Sequence, residues 1–191
     1  MGWKAACVFA STPDAPPLTT FPPYRPERAK QLMSLMGGTY ASRGMTSLDE
    51  GLYPKDSEHV YAGAYDQALV VGSTVAADSA FDGGVPWVVD HAGRLLPGAR
   101  VLIITLHSVV DLFGYAWFED GQLVRARAGA ADGGVFFERG DPLPIERKLM
   151  DFDPESDGET IVMELCRPFI GCRLDEFTMW DLQMEHFVKT W

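Results

Sequence analysis

The stretch Arg100-Val101-Leu102-Ile103-Ile104-Thr105-Leu106-His107 decides the fold. Apolar side chains stand at consecutive positions, so both sides of a pleated strand would be apolar. A strand of that kind is buried on both faces and sits inside a sheet. The segments after it read as an antiparallel meander. Phe113, Tyr115 and Trp117 alternate with Leu112, Gly114, Ala116 and Phe118. Asp120-Gly121 supplies the positive-φ positions of a tight hairpin turn, and Gln122 to Ala128 returns. Asp132-Gly133-Gly134 then turns the chain into Val135-Phe136-Phe137.

Upstream, residues 3–9 read as a short buried strand, and residues 58–65 and 68–72 as a hairpin about Asp66-Gln67. Between Pro13 and Pro26 the prolines fix φ and remove N–H donors, which predicts an extended surface connection. Pro26 suits a first helical turn. Ala29, Leu32, Met33 and Met36 follow at helical spacing up to Gly37-Gly38. A second helix gathers Val85, Val88, Val89, Ala92, Leu95 and Leu96 before Pro97-Gly98, with Asp90, His91 and Arg94 on a face expected to meet solvent.

Residues 39–57 are turn-rich and take no assigned element. Residues 159–170 predict a helix that Pro168 ends or kinks, and the segment from Leu174 to Trp191 holds too many apolar groups to be a free tail. No regular βαβ alternation appears. The expectation is a single α+β domain over 1–191, with a mixed, largely antiparallel central sheet and a few packed helices.

Composition bounds the functions. The chain has 191 residues, 47% hydrophobic and 12% aromatic, enough for a well-filled core. Sixteen Lys and Arg face 27 Asp and Glu, for a formal charge of −11. Such a field repels nucleic-acid phosphates and anionic lipid headgroups, so neither is an expected partner. No apolar stretch approaches the roughly 20 residues of a spanning helix. Cys7, Cys166 and Cys172 form no CxxC pair, and with no leader pattern at Met1-Gly2-Trp3-Lys4 they fit a reducing, cytoplasmic setting.

Three places could hold chemistry. His107-Ser108-Val109-Val110-Asp111 closes the central strand with polar groups, and His107, Ser108 and Asp111 form a candidate catalytic set. Adjacent strand residues face opposite sides, so Ser108 meets His107 only if a turn re-aims one of them. A plainer reading has His107 and Asp111 pair, or satisfy backbone groups in the turn, as a fixed polar latch. Asp153, Glu155, Asp157 and Glu164 carry the spacing of a calcium loop around Gly158, although Glu155 and Thr160 depart from its pattern. Ser156-Asp157-Gly158-Glu159 reads more simply as a helix capping box. The rings of Tyr61, Tyr115 and Trp117, flanked by Tyr65 and Phe113, form a candidate ligand wall with hydroxyl handles, although a stripe at strand spacing is more often core. No phosphate loop or zinc spacing is present, so no cofactor is expected.

Met1-Gly2-Trp3-Lys4, Val60-Tyr61-Ala62-Gly63 and His107-Ser108-Val109-Val110-Asp111 occur in that order, followed by Asp120-Gly121, Leu123-Val124-Arg125, Asp132-Gly133-Gly134 and Pro142-Leu143-Pro144. In this series the chain resembles an uncharacterised bacterial family of unknown function, over residues 1–9 and 59–145. Arg127-Ala128-Gly129-Ala130-Ala131 stands where the resemblance leads one to expect serines. The resemblance implies no activity, and it directs attention to His107 and Asp111. The sequence thus supports a non-catalytic domain that binds a small molecule or a protein. The alternative is a hydrolase-like enzyme with His107 as general base oriented by Asp111.

Overall fold

The computed structural model describes residues 3–82, 84–130, 132–152 and 158–190. Among the described residues nine strands run β1 Lys4–Ser11, β2 Thr39–Ser47, β3 His59–Ala64, β4 Ala68–Gly72, β5 Arg100–His107, β6 Leu112–Glu119, β7 Gln122–Ala130, β8 Gly134–Arg139 and β9 Gln183–Thr190. The helices are α1 Pro26–Leu35, α2 Leu48–Gly51, α3 Thr74–Ser79, α4 Trp87–Leu95, α5 Pro144–Phe152, α6 Gly158–Leu165 and α7 Arg167–Ile170. The strands form one sheet in the order β2-β9-β3-β4-β1-β5-β6-β7-β8. Every neighbouring pair is antiparallel. The fold is α+β, as its sequence indicates.

The central run behaves as its pattern requires. β5 lies between β1 and β6, and Val101, Leu102, Ile103 and Ile104 are buried on both sides. Leu102, Ile104 and Leu106 face a layer that includes Ile161, Val162 and Leu165 of α6 and Phe169 and Ile170 of α7. Val101 and Ile103 face Ala29 and Leu32 of α1, Ala76 and Ala77 of α3, and Val88, Val89 and Ala92 of α4. Helices on both faces complete three layers, and each fully buried aliphatic side chain contributes about 1.5–3 kcal/mol. Asp120 and Gly121 turn the β6–β7 hairpin with φ of 47° and 76°.

Two unassigned regions turn out to be one structure. Residues 39–47 form β2, and the C-terminal segment forms β9, which inserts between β2 and β3. Glu185 of β9 is buried, with its carboxylate accepting hydrogen bonds from the Tyr24 hydroxyl at 2.9 Å and the Ser42 hydroxyl at 2.5 Å. A short helix, α3, also escapes the periodicity reading; Ser73 caps it by accepting from the Ala76 N–H at 3.3 Å. His91 departs from the exposed position expected of it. Its ring is half-buried on α4, hydrogen-bonded through Nε2 to the Leu35 carbonyl beyond the end of the α1 face. Pro168 sits in the first turn of α7, where the predicted helix is interrupted after Leu165.

Candidate functional site

Strand alternation carries His107 to the α3/α4 side of the sheet, opposite Lys4 of β1. His107 is half-buried and sits edge-on to Tyr53, ring centroids 6.4 Å apart. Its Nδ1 is buried without a hydrogen-bond partner. Ser108 turns the other way. Its hydroxyl oxygen accepts from the Trp3 N–H at 2.8 Å and the hydroxyl donates to the Glu159 carboxylate of α6 at 2.6 Å. The Ser108 N–H donates to the Trp3 carbonyl at 2.9 Å, so the residue extends the β1–β5 ladder and bolts α6 to it. Asp111 is exposed at φ 45° and closes the 3-10 turn Ser108–Val110. Among the described residues no hydrogen bond joins His107 to Ser108 or to Asp111. Neither a catalytic set nor the simpler His107–Asp111 latch is assembled.

The aromatic candidates share a face but not a wall. Tyr61, Gly72, Cys7, Ile104 and Tyr115 lie in one lateral row across β3, β4, β1, β5 and β6. At about 4.8 Å per strand, Tyr61 and Tyr115 stand roughly 19 Å apart. Tyr61 stacks on His186 of β9, centroids 4.5 Å apart and planes 7° from parallel. Tyr115 is sealed in the core at 0% exposure, its hydroxyl turned towards Arg125 and Glu146. Burial first, then the neighbouring Glu146 charge, pushes that phenol well above its ordinary range.

Trp117 reaches a cavity, as does the flanking Tyr65, which lines a separate hollow of about 280 Å³ with Pro16, Phe21 and Pro22. The Trp117 indole N–H donates to Glu119 Oε1 at 3.0 Å, and its ring meets Phe169 edge-on at 5.3 Å. It lines a groove of about 320 Å³ with Leu143, Pro144, Ile145, Leu165 and Pro168, rimmed by Glu119, Glu164 and Arg167. Pro144 opens α5 and Pro168 lies in the first turn of α7. A proline in that place brings no orphan N–H, so the two helix starts present apolar edges to the groove.

Beneath the groove lies a polar network that sequence reasoning missed. Arg125 of β7 and Glu146 of α5 are 1% and 0% exposed. Arg125 donates from Nη2 and Nε to the Glu146 carboxylate at 2.9 and 3.1 Å, to Glu138 at 2.6 Å and to the Gly140 carbonyl at 2.8 Å. The Leu143 N–H donates to Glu146 at 3.0 Å. Burial works against the Arg125 charge, but its hydrogen bonds to Glu146 and Glu138 outweigh it and hold the guanidinium protonated. Nothing in strand spacing marks Arg125, because a polar residue in an edge-side strand reads as solvated.

The acidic candidates separate. Asp153, Glu155 and Asp157 lie outside the described residues, as does Ser156 of the alternative capping box. Glu164 pairs with Arg167 at 3.1 Å and Arg173 at 3.5 Å. Among the described residues no three His, Cys, Asp or Glu side chains converge as a metal site. A further hollow of about 340 Å³ opens on the opposite face between Tyr40, Trp87, Val60 and Lys189. No helix among the described residues is long and apolar enough to cross a membrane. Residues 5–157 match the model of a family described as a family of unknown function (DUF6928). No curated protein and no solved structure matches the chain.

Proposed function

We propose that this chain, which belongs to that family of unknown function, is a non-catalytic module that binds a small, largely apolar molecule in the groove at Trp117. The observation that carries the reading is the groove itself: an indole, two prolines and three aliphatic side chains around about 320 Å³. That volume and lining suit a drug-sized ligand with few polar groups. The walls are set in advance, since Glu119 fixes the indole and the Arg125–Glu146 pair ties α5 to the sheet. Pre-set walls spare the ordering cost of binding. With Glu164 already paired to Arg167 and Arg173, the Glu119 carboxylate at the rim favours a ligand with an apolar body and a cationic end.

The hydrolytic alternative has less support, because the Ser108 hydroxyl serves Trp3 and Glu159 and none of the three hollows described is lined by His107. The reading places the protein in a reducing, cytoplasmic setting, in keeping with three unpaired thiols.

A panel of aromatic and aliphatic amines, phenethylamine and tryptamine among them, tests this by thermal shift and tryptophan fluorescence. Binding is expected to raise the melting temperature of the wild type and to be lost in Leu143→Asp, a half-buried wall position at the margin of the core, whose own melting temperature is measured alongside. Ligands that bind Leu143→Asp as well as the wild type, or a panel without any shift, would refute it.

A further inference from the structure

β3 and β9 bring two of the four histidines together on the face that holds Tyr61. Tyr61 is directly opposite His186, and His59 stands two residues before Tyr61 on the same side of β3. The His59 Nδ1 and His186 Nε2 atoms are 2.8 Å apart. We propose that His59 and His186 form a two-nitrogen site for a late first-row divalent cation, copper(II) above nickel(II) or zinc(II), with Asp56 as the positioning residue for His59.

Each part of the arrangement serves such a site. Two ring nitrogens facing each other need one proton between them, and the same lone pairs accept a metal ion in its place. Imidazole nitrogens bind these ions at about 2.0–2.1 Å, so two on one ion at 90–110° are separated by about 2.8–3.4 Å. The pair has only a few tenths of an ångström to open. Asp56 Oδ1 lies 3.8 Å from His59 Nε2. That carboxylate accepts from the Glu58 N–H at 2.9 Å and makes no hydrogen bond to the ring, but its charge favours the proton on Nε2 and leaves Nδ1 as the ligand atom. The stacked Tyr61 ring fixes the plane of His186. With 24% of its side chain exposed, His59 leaves an entry path. Glu50 and Asp56 place two carboxylates, and Arg43 one guanidinium, within electrostatic reach of the pair. Among the described residues no third protein ligand converges there, which leaves coordination positions for water or for an incoming donor. Imidazole donors in an open site select copper, nickel and zinc over magnesium and calcium. The ion would join β3 to the C-terminal strand.

Tag-free, EDTA-stripped full-length protein titrated with CuCl2, NiCl2, ZnCl2 and MgCl2 by calorimetry tests the site. One equivalent of copper(II) is expected in the micromolar range, at least tenfold weaker in His59→Gln and in His186→Gln, with Asp56→Asn intermediate and no magnesium heat. Pulsed electron paramagnetic resonance of the copper form should show two imidazole nitrogens. Long-range 15N NMR of the wild type, which needs no variant, should show two of the four histidines shifting with zinc. Copper binding unchanged in both glutamine variants, absence of micromolar binding, or zinc shifts at fewer than two histidines or at His91 and His107 would overturn the assignment.

Discussion

Arg125 and Glu146 show how one buried pair can govern a site it does not line. Removing one partner leaves the other charge buried, which costs about 3–5 kcal/mol, whereas an apolar pair of similar volume is often neutral. Arg125→Met is therefore expected to lower stability by about that amount in urea unfolding, and Arg125→Met with Glu146→Leu to recover much of it. A single variant as stable as the wild type would show that α5 is held by its apolar face alone. Asp78 gives a pH-dependent case. Asp78 is exposed, and its folded-state pKa lies above the ordinary 3.8 through partial loss of hydration first and then the like charge of Asp82. A carboxyl raised on folding contributes stability at low pH that is lost as pH rises through the folded value. Asp78→Asn should thus raise the melting temperature at neutral pH and change it little below the ordinary aspartate range. An equal gain at both pH values would point away from titration.

Among the secondary-structure elements, the β1–β4 edge shows why a strand end needs glycine. β4 ends at Gly72, where a Cβ would stand 1.8 Å from the Gly51 carbonyl oxygen. The backbone of residues 51 and 52 passes there because the Ala6 N–H donates to the Leu52 carbonyl at 2.8 Å, continuing the sheet past the last β1–β4 pair. Gly72→Ala must displace backbone rather than a flexible side chain. It is expected to cost about 3 kcal/mol or more, above the usual range for an extra methyl in a tight core. Chemical denaturation reads this directly, and a cost under 1 kcal/mol would mean that the 51–54 segment gives way easily. The same reasoning explains β6, where Gly114 leaves room for the Phe81 ring.

Taken across the full sheet, the chain closes its fold late in its own sequence. β9 pairs with β2 and β3, joining residues 183–190 to residues 39–47 and 59–62. Contacts so distant in sequence cost loop-closure entropy before they return any stabilisation. Truncation after Leu182 would strip both flanking strands of a partner and uncover the face that Met184 and Phe187 cover. The truncated chain is expected to elute as aggregate in size-exclusion chromatography, because unpaired strand edges template association. A monomeric, cooperatively melting truncation would show that β2 is dispensable along with β9. The outer strands carry their own protection. β2 has a bulge between Ser42 and Gly44, and β8 is short with charged Glu138 and Arg139 at its end.

Local signals determined much of this molecule. Consecutive apolar residues made β5 central, Asp120-Gly121 set a hairpin, and Pro26 with Gly37-Gly38 bounded the first helix. These are short-range effects of φ, hydrogen-bond donors and side-chain period, which a window of residues contains in full. What lies between distant residues was decided by tertiary structure alone. The alternation of Gln183 to Thr190 mixes charged and apolar groups, so nothing local shows that it is buried between two strands. Trp117 was legible as an aromatic at strand spacing, but its groove depends on α5 and α7 arriving with prolines first. The His107–Asp111 segment was legible as polar groups at a strand end. Its geometry was not, because the turn hands Ser108 to Trp3 and Glu159 and leaves His107 on the other side. The pairings of Arg125 with Glu146 and of His59 with His186 follow from register, and register is a property of the assembled sheet rather than of any segment of it.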